Sequence, residues 1–125
     1  MNRQGLSLIA FVFILNCTSC MTNYPLTTFY VKNTTDKTLN FTASVVKYSS
    51  MGEFEMTLPF AVLPHDSVIA RRVNFRKDAS PTLWFTNFRI FRTDSVSFND
   101  PKNQANWIKT ADANGKPIYT FTMSR

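Results

Sequence analysis

The sequence predicts an all-β domain, an antiparallel sandwich of two sheets, and three observations carry that prediction. Apolar and polar residues alternate in short runs, a period of two that only a strand turns into one buried and one wet face. Turn-forming residues separate those runs at short intervals. Beyond the N-terminal segment, no stretch repeats apolar residues at the three-and-four spacing of an amphipathic helix. Seven strand-like runs in about 100 residues suit two packed sheets, with a small β-barrel as the alternative, because strand count does not decide closure.

The elements follow in order. Phe29 and Val31 alternate with Lys32, and Leu39, Phe41, Ala43 and Val45 alternate with Asn40, Thr42 and Ser44. Asn33-Thr34-Thr35-Asp36-Lys37 supplies turn residues between them, so the first run and the second, residues 38 to 48, read as a hairpin. After Ser49-Ser50-Met51-Gly52 the alternation resumes over residues 53 to 58, with Pro59 expected to end the strand. The turn Pro64-His65-Asp66-Ser67 precedes a fourth strand over Val68 to Phe75. Leu83 to Arg92 is a fifth, and its Trp84, Phe85, Phe88 and Phe91 predict a central position. A short run at Val96 to Phe98 leads into Asn99-Asp100-Pro101, which can open one helical turn near residues 100 to 106. The last two runs, Asn106 to Ala111 and Ile118 to Met123, flank Asn114-Gly115, a strong hairpin signal. An immunoglobulin-like arrangement is the expected architecture, although the Cys and Trp signature of true immunoglobulin domains is missing.

The register of the last hairpin decides where Trp107 points. A two-residue Asn114-Gly115 turn pairs Ile108 with Phe121 and Thr110 with Tyr119, which places Trp107 on the outer face beside Lys109. A three-residue turn with a bulge slips the register by one and pairs Trp107 with Phe121, but it carries Lys109 inward beside Tyr119, and burying an unpaired charge is costly. The first register is therefore expected, with Trp107 and Lys109 as the candidate contact surface for a sugar ring or a protein partner. The competing expectation is that the loop of residues 99 to 106 folds over Trp107.

The N-terminal segment has a different character. Met1-Asn2-Arg3-Gln4-Gly5 brings one positive charge and no acid, and Leu6 to Leu15 is an apolar run of ten residues broken only by Ser7. A helix needs about 20 residues to cross a bilayer, so the layout is that of an export signal rather than a permanent span. Both cysteines, Cys17 and Cys20, close this segment and none follows, which excludes a disulfide framework in the folded part. Cys17-Thr18-Ser19-Cys20 resembles the signals of bacterial lipoproteins, in which small residues precede a cysteine that receives diacylglycerol and becomes the first residue of the mature chain. That resemblance implies a leader over 1–19 and lipid attachment at Cys20; the polar stretch after it reads as a tether over 20–26, and the length that remains suits one domain over 27–125. Phe98-Asn99-Asp100-Pro101, Asn106-Trp107, Asn114-Gly115-Lys116 and Tyr119-Thr120-Phe121-Thr122, behind this segment, are similar to small envelope lipoproteins of the Bacteroidota type. The resemblance implies a β-sandwich on the outer membrane and carries no activity with it. In that group, surface-bound lipoproteins often have acidic residues just after the lipidated cysteine, and Met21-Thr22-Asn23-Tyr24 has none, which implies the periplasmic side.

Fourteen basic residues stand against eight acidic ones, and only Arg3 lies in the leader, so the mature part keeps an excess of about five positive charges. Export takes nucleic acid out of reach as a partner and leaves anionic lipid, envelope proteins and acidic glycans. His65 is the only histidine, held in a turn with Asp66 and Ser67 whose adjacency supplies no triad geometry. The carboxylates are scattered, and Asp112-Ala113-Asn114-Gly115 lacks the ligands of a calcium loop. Glu53 and Glu55 sit about 6.5 Å apart on one strand face, whereas a glycosidase pair comes from separate elements. Arg71 and Arg72 face opposite sides of a strand, which suits a sheet edge where charge blocks aggregation; Arg76-Lys77 and Arg89 with Arg92 complete the basic clusters. No catalytic residue, cofactor or metal is expected. The expected function is a non-catalytic binding or structural module held to the membrane by its N-terminal lipid. The alternatives are a small glycan-binding or glycan-active protein and an inhibitor or immunity-type protein.

Overall fold

The structure, a computed structural model, describes residues 25–74 and 81–125. Cys20, the leader, the start of the tether and the Arg76-Lys77 pair lie outside the described residues. Among the described residues seven strands form two sheets: β1 (Leu26–Lys32), β2 (Leu39–Ser49), β3 (Gly52–Val62), β4 (Ser67–Asn74), β5 (Asn87–Ile90), β6 (Trp107–Ala111) and β7 (Pro117–Thr122). One sheet has the order β4-β1-β7-β6 and the other β3-β2-β5, and they pack face to face without closing into a barrel. Four of the five pairings are antiparallel; β1 and β7, the first and last strands, run parallel. One helical turn, Pro81–Trp84, precedes β5, and a short 3-10 turn, Gln104–Asn106, falls within the region where a helical turn is expected.

Each central strand turns its alternate residues inward. Phe29 and Val31 of β1, Phe41, Ala43 and Val45 of β2 and Phe121 of β7 are buried, joined by Leu39, Val62, Phe88 and Met123. Rings interlock within and between the sheets: Phe29 meets Trp84, Phe85, Trp107 and Tyr119, Phe41 stacks between Phe60 and Phe88 with centroids 4.7 and 4.8 Å away, and Phe88 reaches across to Trp107 and Phe121.

Three elements depart from expectation. First, β1 and β2 are not a hairpin, because they belong to different sheets. Both faces that carry Phe29-Val31 and Phe41-Ala43 are needed to enclose one core, so the strands must oppose each other across it. Asn33 makes the crossing. Its buried amide nitrogen donates to the Lys37, Val62 and Leu63 carbonyls at 2.6, 3.0 and 3.2 Å, and its Oδ1 accepts from the Thr35 N–H and hydroxyl. Its backbone N–H donates to the Asp66 carbonyl. One side chain thus ties the first crossover to the β3–β4 turn.

Second, β3 continues through Pro59, which faces Thr42, as far as Val62. It is an edge strand, where a missing N–H need not interrupt a ladder. Third, the aromatic run from Leu83 does not form one central strand. Trp84 and Phe85 reach the core from the helical turn and the connection after it, and β5 is a four-residue edge strand. Their size, rather than a central strand, buries them.

Replacing Asn33 with Ala leaves the buried Val62 carbonyl without this donor and releases the Thr35 N–H and hydroxyl from its Oδ1. Equilibrium denaturation of the Asn33→Ala protein is expected to show a loss of about 2 to 3 kcal/mol. An unchanged midpoint would show that this side chain does not hold the crossover.

Candidate functional site

The final hairpin takes the bulged register, so the two-residue turn expected from Asn114-Gly115 is corrected. Trp107 pairs with Phe121, Lys109 with Tyr119 and Ala111 with Pro117. The loop is Ala113-Asn114-Gly115: the Gly115 N–H donates to the Asp112 carbonyl, Gly115 takes φ 77°, and the Asp112 N–H closes the loop on the Lys116 carbonyl. Asp112 Oδ1 also accepts from the Asn114 and Lys116 N–H groups at 2.8 and 2.9 Å, which selects the three-residue loop over the shorter one.

Trp107 therefore leaves the outer face. It is 4 % exposed, packs against Phe29, Trp84, Phe85, Phe88 and Phe121, and its indole N–H donates to the Pro101 carbonyl at 2.7 Å. The 99 to 106 loop does reach over it, but the ring belongs to the main core. Lys109 escapes the burial cost anticipated for this register. On edge strand β6 it stays exposed, with Nζ 5.9 Å from the centre of the Tyr119 ring. Ile108 is turned to solvent in exchange. Trp107 and Lys109 thus form no contact surface together.

The chemistry of the surface lies elsewhere, in the seam where edge strands β3 and β4 face each other. In the β1–β4 ladder Phe29 pairs with Arg71 and Tyr30 with Ile69, so Ala70 is an extra residue in β4. A bulge of this kind re-aims the side chains on one side of it. Arg71 consequently points to the same side as Phe29, between the sheets, while Arg72 points outward with Nε 3.4 Å from the Thr28 hydroxyl. The guanidinium of Arg71 donates to the Trp84 carbonyl. Burial pulls its pKa below the ordinary arginine value, yet a guanidinium remains a cation in a protein.

Arg71 sits between two cavities. One, about 170 Å³, is lined by Val45, Met56, Leu58 and Ala70 with Lys47 and Arg72 at its rim. The other, about 220 Å³, is lined by Val46, Tyr48, Leu83, Trp84 and Thr86. The inner face of β3 is only partly covered here, and Phe54 and Leu58 on that face are exposed by nearly half. Apolar walls around three basic groups suit a ligand that is both apolar and anionic.

A second, shallower groove of about 530 Å³ lies beside Asn40, Pro59, Ala61 and Phe91. The Phe91 N–H donates to the Asn40 carbonyl, extending the β2–β5 pairing, and the Arg89 guanidinium lies 5.4 Å over the Phe91 ring.

The remaining candidates do not converge. His65, at φ 57° in its turn, meets Asp36 at 2.7 Å, and both are well exposed at the opposite end of the domain. Glu53 and Glu55 share the outer side of one edge strand, opposite Tyr48 and Val46. Among the described residues no three His, Cys, Asp or Glu side chains are grouped to hold a metal, and no helix is long and apolar enough to cross a membrane. Comparison of the chain with protein-family models, curated proteins and solved structures finds no match.

With both indoles buried, the Trp84→Phe and Trp107→Phe proteins are each expected to emit at short wavelength and to resist acrylamide quenching. Red-shifted, readily quenched emission from Trp107 in the Trp84→Phe protein would restore the outward register.

Proposed function

We propose that this chain is a lipid-anchored protein of the bacterial cell envelope, on the periplasmic side of the outer membrane, and that it works as a non-catalytic binding module. The observation that carries the binding role is the bulge at Ala70, which aims Arg71 into an apolar seam where a β-strand residue in regular register would point it at water. A guanidinium offers no proton near neutral pH, so it cannot serve as a general acid or base; it holds anions by charge and by a planar set of donors. The leader, the cysteine at its end and the resemblance to envelope lipoproteins support the location.

A glycan-binding role is the second reading, favoured by one feature. Phe91 presents an exposed ring beside Asn40 and under Arg89, in a groove open enough for a sugar to lie flat on it. On this reading Phe91→Ala abolishes retention on an envelope polysaccharide column, whereas Arg71→Met does not.

The anchor is tested directly. Expressed with its leader in a bacterial host, the parent is expected to incorporate radiolabelled palmitate and to fractionate with membranes, and Cys20→Ala to do neither. A Cys20→Ala protein processed and located like the parent would remove the anchor.

A further inference from the structure

The strands give the domain two distinct ends. β1 enters at Leu26, level with Asn74, and runs toward Asn33, whose side chain bonds the Val62 and Leu63 carbonyls. Val62 pairs with Leu39, and from there β2 runs back for eleven residues against β1's seven. The β2–β3 tip at Ser49 to Gly52 therefore lies at the same end as Leu26 and overhangs it by about 10 Å, from the four extra residues at roughly 3.3 Å each and the tilt between packed sheets. Six residue steps separate Cys20 from Leu26, a reach of at most about 22 Å. A lipid on Cys20 keeps Leu26, at this end, within that distance of the bilayer.

The chemistry of that end fits what it would meet. Met51 at the tip is 97 % exposed, and Phe54 behind it, on the seam side of β3, is 48 % exposed. Lys47 pairs with Phe54 across the β2–β3 ladder, and Arg71 and Arg72 lie on the facing strand. Among the described residues, the acids of this end are Glu53 and Glu55, which point to the opposite side of β3, and Asp112, which is occupied with its own hairpin loop. Apolar side chains at the tip backed by cations on one side form an amphipathic edge of the kind that seats in a lipid interface.

We infer that this anchor-proximal edge docks on an anionic phospholipid surface, with Met51 and Phe54 entering the interface and Lys47, Arg71 and Arg72 against the headgroups. The inference rests on the proposed anchored location at a membrane, while the amphipathic edge that carries it is tested without the lipid. Docking turns the seam toward the bilayer and fixes the orientation of the domain, leaving the His65 end and the Phe91 groove facing away.

Every strand of the described residues lies downstream of residue 25, so the chain from residue 20 onward with Cys20→Ser carries both sheets and no acyl chain. Added to vesicles of phosphatidylethanolamine and phosphatidylglycerol, it is expected to co-sediment. Binding is expected to weaken on raising the salt and to fall about tenfold in a Met51→Asp, Phe54→Asp protein and in a Lys47→Glu, Arg72→Glu protein. Glu53→Gln, on the other side of the strand, is expected to bind at least as well as the parent. Circular dichroism and thermal melting confirm that the variants are folded. Folded variants that bind like the parent, absence of co-sedimentation by the parent, or light scattering showing a dimer that Met51→Asp, Phe54→Asp dissociates would each overturn the docking surface. None of these outcomes bears on palmitate incorporation at Cys20, which tests the anchor separately.

Discussion

The Phe29 ring is the centre of the aromatic cluster that joins the two sheets, which Phe88 of the three-stranded sheet completes against Trp107 and Phe121 of the four-stranded one. It lies fully buried on β1, between β4 and β7 in its own sheet, and it touches Trp84 and Phe85 from the connection before β5, Trp107 from β6 and Tyr119 from β7. Buried aromatic rings each remove a large apolar area from water, and tilted or edge-on pairs contribute beyond that area. Satisfying this cluster requires β1 to leave β2 for the other sheet, the chain before β5 to coil so that Trp84 arrives from the side, and β6 to slip so that Trp107 turns inward. Each of these costs something locally: a crossover with buried carbonyls, a strand cut short, and Ile108 left in solvent. The cluster outweighs them together, and Asn33 and Asp112 supply the hydrogen bonds that make the first and third tolerable.

The same unequal partnership leaves the seam. A four-stranded sheet of shorter strands covers a three-stranded one whose first hairpin is eleven residues on each side, so the long hairpin projects beyond its cover. The inner side of β3 is then apolar but half uncovered, and the bulge in β4 puts a cation rather than another apolar group opposite it. A domain selected only to bury its core would close this gap with apolar residues. The seam instead retains charge, and the proposed binding and docking roles draw on that single departure. Edge protection is a further consequence, since Pro59 on β3 and Arg72 on β4 discourage pairing with another strand.

Much of the fold was legible in the sequence, but the proposed site was only partly so. Alternation located β2, β4, β6 and β7 to within a few residues, and the inward set Phe29, Val31, Phe41, Ala43 and Val45 follows directly from period two. The pairing of Arg71 and Arg72 on opposite faces was readable too. Which of them faced inward was not, because a one-residue bulge has no signature in Ile69-Ala70-Arg71. Trp107 shows the same limit from the other side. Weighing Lys109 as a buried charge favoured the outward register, whereas an edge strand lets a lysine stem lie along Tyr119 and return its ammonium to water.

By itself, then, the sequence determined the all-β class, the number of strands, several turns and the core residues of the central strands, such as Phe29, Val31, Phe41, Ala43 and Val45, since these depend on periodicity and on turn chemistry within a few neighbouring residues. It also set the export signal and the position of Cys20 as expectations. Only the tertiary structure decided the sheet to which each strand belongs, the parallel pairing of β1 with β7, the register that buries Trp107 and the bulge that opens the seam around Arg71. Those choices are settled by competition among aromatic rings brought from positions 29, 84, 107 and 119. Contacts so far apart along the chain leave no local pattern from which the winner can be read.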